Sequence, residues 1–587
     1  MIIVPCVKFC VIICLIFHHK GTRLIKYLFP ASQWLKSYNK QDFKSDLLAS
    51  GIVIALLIPQ GMAYALVAGL PPIMGLYASI LPIMLYAIFG GSPTLSIGPV
   101  AILSMMTFAF LNPLFPVGSA AYLEAACLLA LLTGVISVLL GILRFGFLIQ
   151  LISHPVIQSF IIAASLLIAL GQLRFLFNIP LRADNLPQFV ITAWQHAAQA
   201  DISTLIVGVV SMLFLIYLPK IITRFTPQFK TLCKVLPLLL VICAILLNQT
   251  WTINVPTVGL IPSGLPQFSM PNWTWDLVLQ LLPAATLIAM INFIESLSIA
   301  EATALQKRQH LNSNQELIAI GVSNLAAGLT HGFPVGGSLS RTVVNADAGA
   351  KSPLVGVFVG LFIVIISLYF TQVFFHLPLA VLAATIIVSI WKLVKIQPFI
   401  HTWQYSKADG LAMLITFFAV LLIDVSTGLM IGVISTFALL LWKMSRPHVA
   451  IIGLVEGTQH FRNIQRYKAR TCPEVFSLRI DEALTFLNAH PLKAYIIDEV
   501  SQNLQLKHVV INCSGISNID FSALEMLEDV NHELLKLKIQ LHLSEVKGPV
   551  MDQLKNSNFF NELSGQVFLS HYQAMQHLSP SLCKEPH

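Results

Sequence analysis

Gly336-Gly337-Ser338-Leu339-Ser340-Arg341-Thr342 separates two apolar segments deep inside a very hydrophobic chain. Glycines and serines followed by an arginine and a helix-forming run read as a break in a membrane span, then a helix start. The N-terminus of a helix carries unpaired N–H groups and a partial positive charge. Set within a bilayer, such a start is a ready anion site. The expectation is therefore a carrier that moves a small anion across a membrane and holds it at Ser338, Leu339, Ser340 and Arg341.

The composition fits that setting. Of 587 residues, 56% are hydrophobic and 11% charged, and the mean hydropathy is +0.78. A soluble chain carries about 25% charged residues, so most of this one belongs in lipid. The net charge of +8 is modest and fits Lys- and Arg-rich cytoplasmic loops rather than nucleic-acid binding. Nine cysteines are scattered. Cys6, Cys10 and Cys14 fall four apart without polar neighbours, so they read as apolar residues and no disulfide framework is expected. Residues 1–17 form an apolar run followed by His18, His19 and Lys20, with neither the charged start nor the cleavage site of a signal peptide. Residues 1–28 are accordingly set apart as an N-terminal extension, readable as a marginal extra helix, an interfacial segment or an extension from an upstream start codon.

Apolar runs place fourteen spans, at 48–66, 72–89, 97–111, 119–140, 150–170, 203–219, 234–248, 277–304, 315–330, 339–349, 353–373, 377–393, 408–425 and 427–443. A full crossing takes about 20 helical residues, so the short third and tenth spans should begin partway through the bilayer. Lys36, Lys40 and Lys44 put the N-terminus inside. Even-numbered spans then end near Arg144; Lys220, Arg224, Lys230 and Lys234; Lys307 and Arg308; Lys351; Lys392, Lys395 and Lys407; and Lys443 and Arg446. Residues 249–275, outside, hold no Lys or Arg but carry Trp251, Trp273 and Trp275, as an interfacial belt does. The loop after the fifth span, with Arg174 and Arg182, is the exception. Both termini are thus expected in the cytoplasm. Fourteen spans divide into seven plus seven of opposite orientation, with the short spans third in each half. In such an inverted repeat the helix starts at Ser96-Ile97-Gly98-Pro99-Val100 and at Ser338–Arg341 face each other near the midplane.

Within the spans, Gln60 and Tyr64 are four apart and share a face; they suit either donation to an anion or packing between helices. Glu295 is an ionisable group inside a span. Counted back from Lys307 it lies about 18 Å from the cytoplasmic end, at 1.5 Å per residue. It could carry a proton across, or serve as a structural ion pair or line a wet vestibule. Arg341 could hold the anion, set the local field, or pair with Glu295. Asp424 reads as an interfacial cap, and Gly356/Gly360 and Gly428/Gly432 as close helix contacts. Ser313 and Glu316 fit a capping box.

From about 447 charges return. Strands at 475–480, 509–513 and 539–543 alternate with helices at 521–537 and 549–563, a small α/β domain over 447–587. Leu524, Leu527, Leu534, Leu535 and Leu537 mark the first helix. No phosphate loop, HExxH or paired CxxC is present, so no enzyme activity, cofactor or metal is expected. Ser522 stands near a helix start, a candidate for phosphorylation or anion binding, although capping by Asp520 explains the turn as well.

Together IPQGMAYA (58–65), SIGP (96–99), FIES (293–296), NQEL (314–317) and GSLSRTVVNADAGA (337–350) resemble the SulP family of sulfate permeases and related anion transporters. LTFLN (484–488) and VVINCSGISNID (509–520) resemble its C-terminal STAS domain. The resemblance covers about 30 to 580. It implies a multi-pass α-helical membrane protein of 14 spans, a 7+7 inverted repeat with core and gate domains over 29–446, then a cytoplasmic STAS domain. It implies an elevator-like motion, a homodimer and a cytoplasmic partner for the STAS domain. It places the anion between the third and tenth spans: Gln60 and Tyr64 line the site, Val100 marks the third-span helix start, Ser340 donates and Arg341 supplies positive field. Glu295 matches the acidic position of proton-coupled plant-type sulfate transporters, whereas sodium-using bicarbonate transporters carry aspartate there. The implied function is proton-coupled sulfate symport, with bicarbonate or C4-dicarboxylate transport, or uncoupled anion exchange or conduction, as alternatives. The turn Asp520-Phe521-Ser522-Ala523 departs from the Asp-Ser-Ser-Gly of anti-sigma-factor-antagonist STAS domains but keeps the modifiable Ser522.

Overall fold

A computed structural model describes residues 30–36, 38–146, 153–181, 185–225, 235–251, 254–259, 261–306, 311–391 and 393–583. Residues 1–17, Arg182, Lys230, Lys234, Lys307, Arg308 and Lys392 lie outside the described residues, as do Cys6, Cys10 and Cys14. The chain divides into two compact units, Met1–Thr436 and Phe437–His587.

A helical segment stands at each of the fourteen expected spans, all in the first unit except that the last runs past its end at Thr436. In chain order these are α1 (Lys40–Val67), α2 (Pro72–Tyr77) with α3 (Leu81–Phe89), α4 (Ala101–Leu111), α5 (Ala120–Ile142), α6 (His154–Phe177), α8 (Ile202–Phe225) and α9 (Leu236–Trp251). The second set is α10 (Trp275–Gln306), α11 (Ser313–Leu329), α12 (Leu339–Asp347), α13 (Leu354–Tyr369), α14 (Leu379–Trp391), α16 (Lys407–Leu422) and α17 (Val425–Met444). Two amphipathic helices that the apolar runs did not announce, α7 (Leu186–His196) and α15 (Gln397–Tyr405), lie between them. Among the described residues seven of these segments, counting 72–89 as one, are long and apolar enough to cross a membrane.

Several boundaries differ from the sequence expectation, each for a local reason. α1 starts eight residues early because Asn39 and Asp42 form a reciprocal capping box. The second span is broken at Ala78–Ile80. α6 runs on to Phe177, so Arg174 sits in its last turn, donating to the Leu66 carbonyl at 3.4 Å, rather than in a loop. α11 is capped by Asn312, not Ser313. Glu316 is instead fully buried, accepting from the Tyr86 hydroxyl at 2.7 Å and the Gly91 N–H at 2.8 Å.

The helices pack in two groups, α1–α5 with α10–α13, and α6, α8 and α9 with α14–α17. α1 touches both through α9 and α14. Small residues set the closest approaches. Gly134 of α5 and Gly321 of α11 meet so tightly that a Cβ on Gly134 would lie 2.6 Å from the Leu325 nitrogen. The expected pairs also pack closely, Gly356/Gly360 on α3 and Gly428/Gly432 on α16.

The second unit is a seven-stranded sheet. Its strands are β3 (Val449–Val455), β4 (Phe461–Asn463), β5 (Ala469–Arg470), β6 (Val475–Ile480), β7 (His508–Asn512), β8 (Gln540–Ser544) and β9 (Val567–Phe568). The order is β4-β3-β6-β7-β8-β9, with β5 also on β3. β6 to β9 run parallel, joined by α18 (Ala489–Gln502), α19 (Phe521–Lys536) and then α20 (Gly548–Lys555) with α21 (Phe559–Glu562). The single helix expected at 549–563 is therefore two. The buried face of α19 is Ala523, Met526, Leu527, Val530 and Leu534, while Leu535 and Leu537 are exposed. Alternation along the strands serves both faces: Val509 and Ile511 meet the connecting helices, and Val510 meets α22 (His571–Leu578).

Candidate anion site

Two short strands cross at the centre of the first unit. β1 (Ile97–Gly98) and β2 (Gly336–Gly337) pair antiparallel, Ile97 opposite Gly337 and Gly98 opposite Gly336. The Ser338 N–H donates to the Ser96 carbonyl at 3.1 Å, and the Ser96 N–H donates to Thr342 Oγ1 at 3.1 Å. Asn345 Nδ2 donates to the Thr94 carbonyl at 2.9 Å. Each strand runs straight into a helix, β1 into α4 through Pro99 and Val100, β2 into α12 through Ser338. Antiparallel strands send the two helices away in opposite directions, so both N-termini point at the crossing. Their dipoles add positive potential there, with first-turn N–H groups that have no intrahelical partner.

The caps leave those donors available. Val100, the N-cap of α4, offers no side-chain acceptor. Ser338, the N-cap of α12, accepts from the Arg341 N–H at a long 3.5 Å. Leu339 and Ser340 are exposed while Arg341 and Thr342 behind them are buried, so the first turn of α12 is open on one side. The Ser340 and Ser338 hydroxyls are 3.3 Å apart.

Arg341 is completely buried. Its Nη1 donates to the Pro99 carbonyl at 2.9 Å and to Gln60 Oε1 at 3.3 Å, and Nε and Nη2 have no hydrogen-bond partner among the described residues. The guanidinium thus ties the first helix start to α1 and adds its full charge. Gly98 (φ +155°) makes room for it, since a Cβ there would lie 3.2 Å from Arg341 Nη2. Tyr64, one turn beyond Gln60, is buried. Pro59 cannot donate within α1, which loosens the helix beside Gln60.

Glu295 of α10 is partly buried and lies within electrostatic range of Arg341 and Tyr64. Among the described residues no ion pair joins it to Arg341, whose Nη1 is bonded to Pro99 and Gln60 instead. Gln60, Val100, Ser338, Leu339, Ser340 and Arg341 therefore come together around the crossing, with Tyr64 and Glu295 beside it. Ser522 is elsewhere, exposed in the first turn of α19, where Asp520 caps the helix through the Ala523 N–H at 2.9 Å. Asp424 caps α17, accepting from the Thr427 N–H at 2.9 Å.

Sequence reasoning overlooked the side chains that hold β2. Asn324 of α11 accepts from the Val335 N–H and donates to its carbonyl, both at 2.9 Å. Asn292 Nδ2 donates to the same carbonyl at 2.7 Å, and Ser296 Oγ accepts from the Gly337 N–H at 2.8 Å. The available signal was an asparagine inside each of two apolar spans, a costly residue there unless it has a partner.

Residues 43–416 match the model of the Sulfate permease family, and residues 466–574 that of the STAS domain. The chain is 33% identical over 542 residues to Sulfate transporter 4.1, chloroplastic, of Arabidopsis thaliana, covering 89% of this chain and 79% of that one. It is 30% identical over 577 residues to High affinity sulfate transporter 2 of Stylosanthes hamata (95% and 87% covered). A probable sulfate transporter of Mycobacterium tuberculosis is 30% identical over 554 residues (93% and 97% covered). Among solved structures, the murine Solute Carrier 26 family member A9 anion transporter in the inward-facing state shares the fold, with a TM-score of 0.88 at 24% identity over 96% of both chains. The transmembrane domain of a cyanobacterium bicarbonate transporter gives 0.57 at 20% identity, over 68% of this chain and 98% of that one.

Proposed function

The chain belongs to the sulfate permease family, as an integral multi-pass membrane protein with a C-terminal STAS domain, and we propose that it is a proton-coupled sulfate symporter working by elevator-type alternating access. The observation that carries this reading is the pair of helix starts facing each other across β1 and β2, backed by the buried and half-partnered Arg341. Sulfate is held by first-turn N–H groups and the Ser340 hydroxyl, with Gln60 and Tyr64 as the wall from α1. Arg341 acts mainly through its field, since its Nη1 is already committed to Pro99 and Gln60.

Glu295 supplies the coupling. An ionised carboxylate beside the site opposes the anion, and protonation removes that charge. Proton and anion then favour each other's binding reciprocally, which is the requirement for symport. The group of α1–α5 and α10–α13 contains the whole site and moves as the core. The group of α6, α8, α9 and α14–α17 forms the gate, with residues 29–446 as the transport domain. Residues 447–587 and both termini are cytoplasmic, the chain works as a homodimer, and Ser522 offers a place for regulation or for a partner of the STAS domain.

The test is uptake of labelled sulfate into proteoliposomes with and without an inward proton gradient, with bicarbonate, succinate and chloride as competitors. Gradient-driven uptake that Glu295→Gln abolishes, while sulfate exchange persists, is expected. Unaltered gradient-driven accumulation in Glu295→Gln would remove the coupling role. Absence of sulfate uptake, with another of these anions transported, would reassign the substrate.

A further inference from the structure

Asn292, Ser296 and Thr303 recur at i, i+4 and i+11 on α10, one face of the helix. That face holds β2 and the segment leading into β1: Asn292 and Ser296 bond the chain at Val335 and Gly337, and Thr303 Oγ1 accepts from Thr94 Oγ1 at 3.2 Å, three residues ahead of β1. We propose that Asn292 and Ser296 are positioning residues that set anion affinity by fixing where both helix starts stand. This rests on the reading of Ser338–Arg341 and Val100 as the anion site.

The bonds form a closed chain. The Gly337 N–H donates to Ser296 Oγ at 2.8 Å, Ser296 Oγ donates to Asn292 Oδ1 at 3.1 Å, and Asn292 Nδ2 donates to the Val335 carbonyl at 2.7 Å. Both side chains are buried, and every link is satisfied, so no water is needed to complete the chain. The ladder to β1 is made by the neighbouring Ser338 N–H, which leaves the Gly337 N–H pointing the other way, at Ser296.

Gly337 is the point at which one displacement reaches both helices. It precedes Ser338, the cap of α12, and it faces Ile97, two residues before Pro99 and Val100 open α4. It has little slack, because a Cβ on Gly337 would lie 3.0 Å from Ser296 Oγ and 3.1 Å from Ser296 Cα. A site made of backbone donors works only within a narrow hydrogen-bonding distance of the anion oxygens. Its precision is therefore owed to whatever holds the strand.

The experiment compares initial rates of labelled sulfate uptake by the full-length protein and by Ser296→Ala, Ser296→Cys and Ser296→Thr in proteoliposomes, scaled to the protein inserted. The thiol is nearly isosteric and a weak acceptor, so Ser296→Cys keeps the packing if Ser296→Ala fails to fold. Both should raise the apparent KM for sulfate about fivefold or more, the effect of losing one buried hydrogen bond, with Vmax within about twofold. Ser296→Thr, which keeps the hydroxyl, should recover most of that affinity. A KM unchanged in Ser296→Cys, a loss confined to Vmax, or no recovery in Ser296→Thr would overturn the inference alone. Absence of uptake of sulfate and of every competing anion by the unsubstituted protein would overturn the reading of the site, and this inference with it.

Discussion

Acidifying the full-length protein from pH 7 to pH 5 should loosen its C-terminal unit through two buried histidines. His542 is buried on β8, where its Nδ1 accepts from the Gln566 N–H at 3.0 Å. That bond leaves the proton on Nε2, which faces His508 Nδ1 at 3.2 Å. His571, at the start of α22, lies between the Ser544 hydroxyl at 2.8 Å and the Ser477 hydroxyl at 3.1 Å, bridging β8 and β6. Burial pushes both imidazoles down to about 4, and the nearby His508 and His577 rings add to the effect at His542. In the unfolded chain each would titrate near its ordinary value of about 6.5. Below that pH the unfolded state binds more protons than the folded one, so stability falls until about pH 4 and is insensitive to these groups above about pH 7. From pH 7 to pH 5 the loss is about 2 kcal/mol per ring, about 4 kcal/mol for the pair. That is a large share of the about 5–15 kcal/mol that holds a typical domain together. Hydrogen exchange of the β6, β7 and β8 amides in the intact protein, corrected for the intrinsic pH dependence of exchange, measures it. Protection should drop by about several hundredfold, and His542→Gln with His571→Gln should flatten the dependence. Equal protection at pH 7 and pH 5 would refute the reasoning.

Three further outcomes are expected. Ser340→Ala should raise the apparent KM for sulfate by about five- to tenfold, read from the concentration dependence of uptake; an unchanged KM would remove the hydroxyl from the site. Gly336→Ala should destabilise the first unit by about 1–3 kcal/mol and suppress uptake, because its Cβ would stand 2.3 Å from Asn292 Oδ1; normal thermal stability with normal uptake would contradict this. Glu316→Ala should lower the unfolding temperature, since it strands the Tyr86 hydroxyl and the Gly91 N–H at a cost of about 1–3 kcal/mol for each group left unsatisfied, and an unshifted transition would show those bonds to be expendable.

The spans were legible because lipid imposes one rule, about 20 apolar residues per crossing, and among the described residues seven segments are long enough to meet it alone, with the shorter apolar runs marked off between them by polar and charged loops. The two short runs beginning near Ile97 and Leu339 announced the half-helices for the same reason: their apolar length falls short of the bilayer. Serine and arginine at a helix start likewise carry their chemistry in local sequence, so Ser338–Arg341 could be singled out with no structure at all. Glu316 was misread because the same local pattern, a serine three residues before a glutamate, admits two outcomes. Asn312 already supplied the cap, and the carboxylate was taken by Tyr86 and Gly91, more than 200 positions away.

Local sequence therefore carried the apolar spans, the alternation of strand and helix in the tail, and the charged and hydroxyl groups available for an anion, but not the amphipathic helices α7 and α15. Hydrophobic length, cap chemistry and alternation act within about 20 residues and need no partner. Only the tertiary structure decided that Gly98 lies against Gly336, that Arg341 turns to Pro99 and Gln60 instead of Glu295, and that Asn292, Ser296 and Asn324 hold the strand between them. Those choices belong to buried polar groups. Each must find a partner inside the protein, because neither lipid nor an apolar core will supply one, and which partner is within reach depends on how distant helices pack.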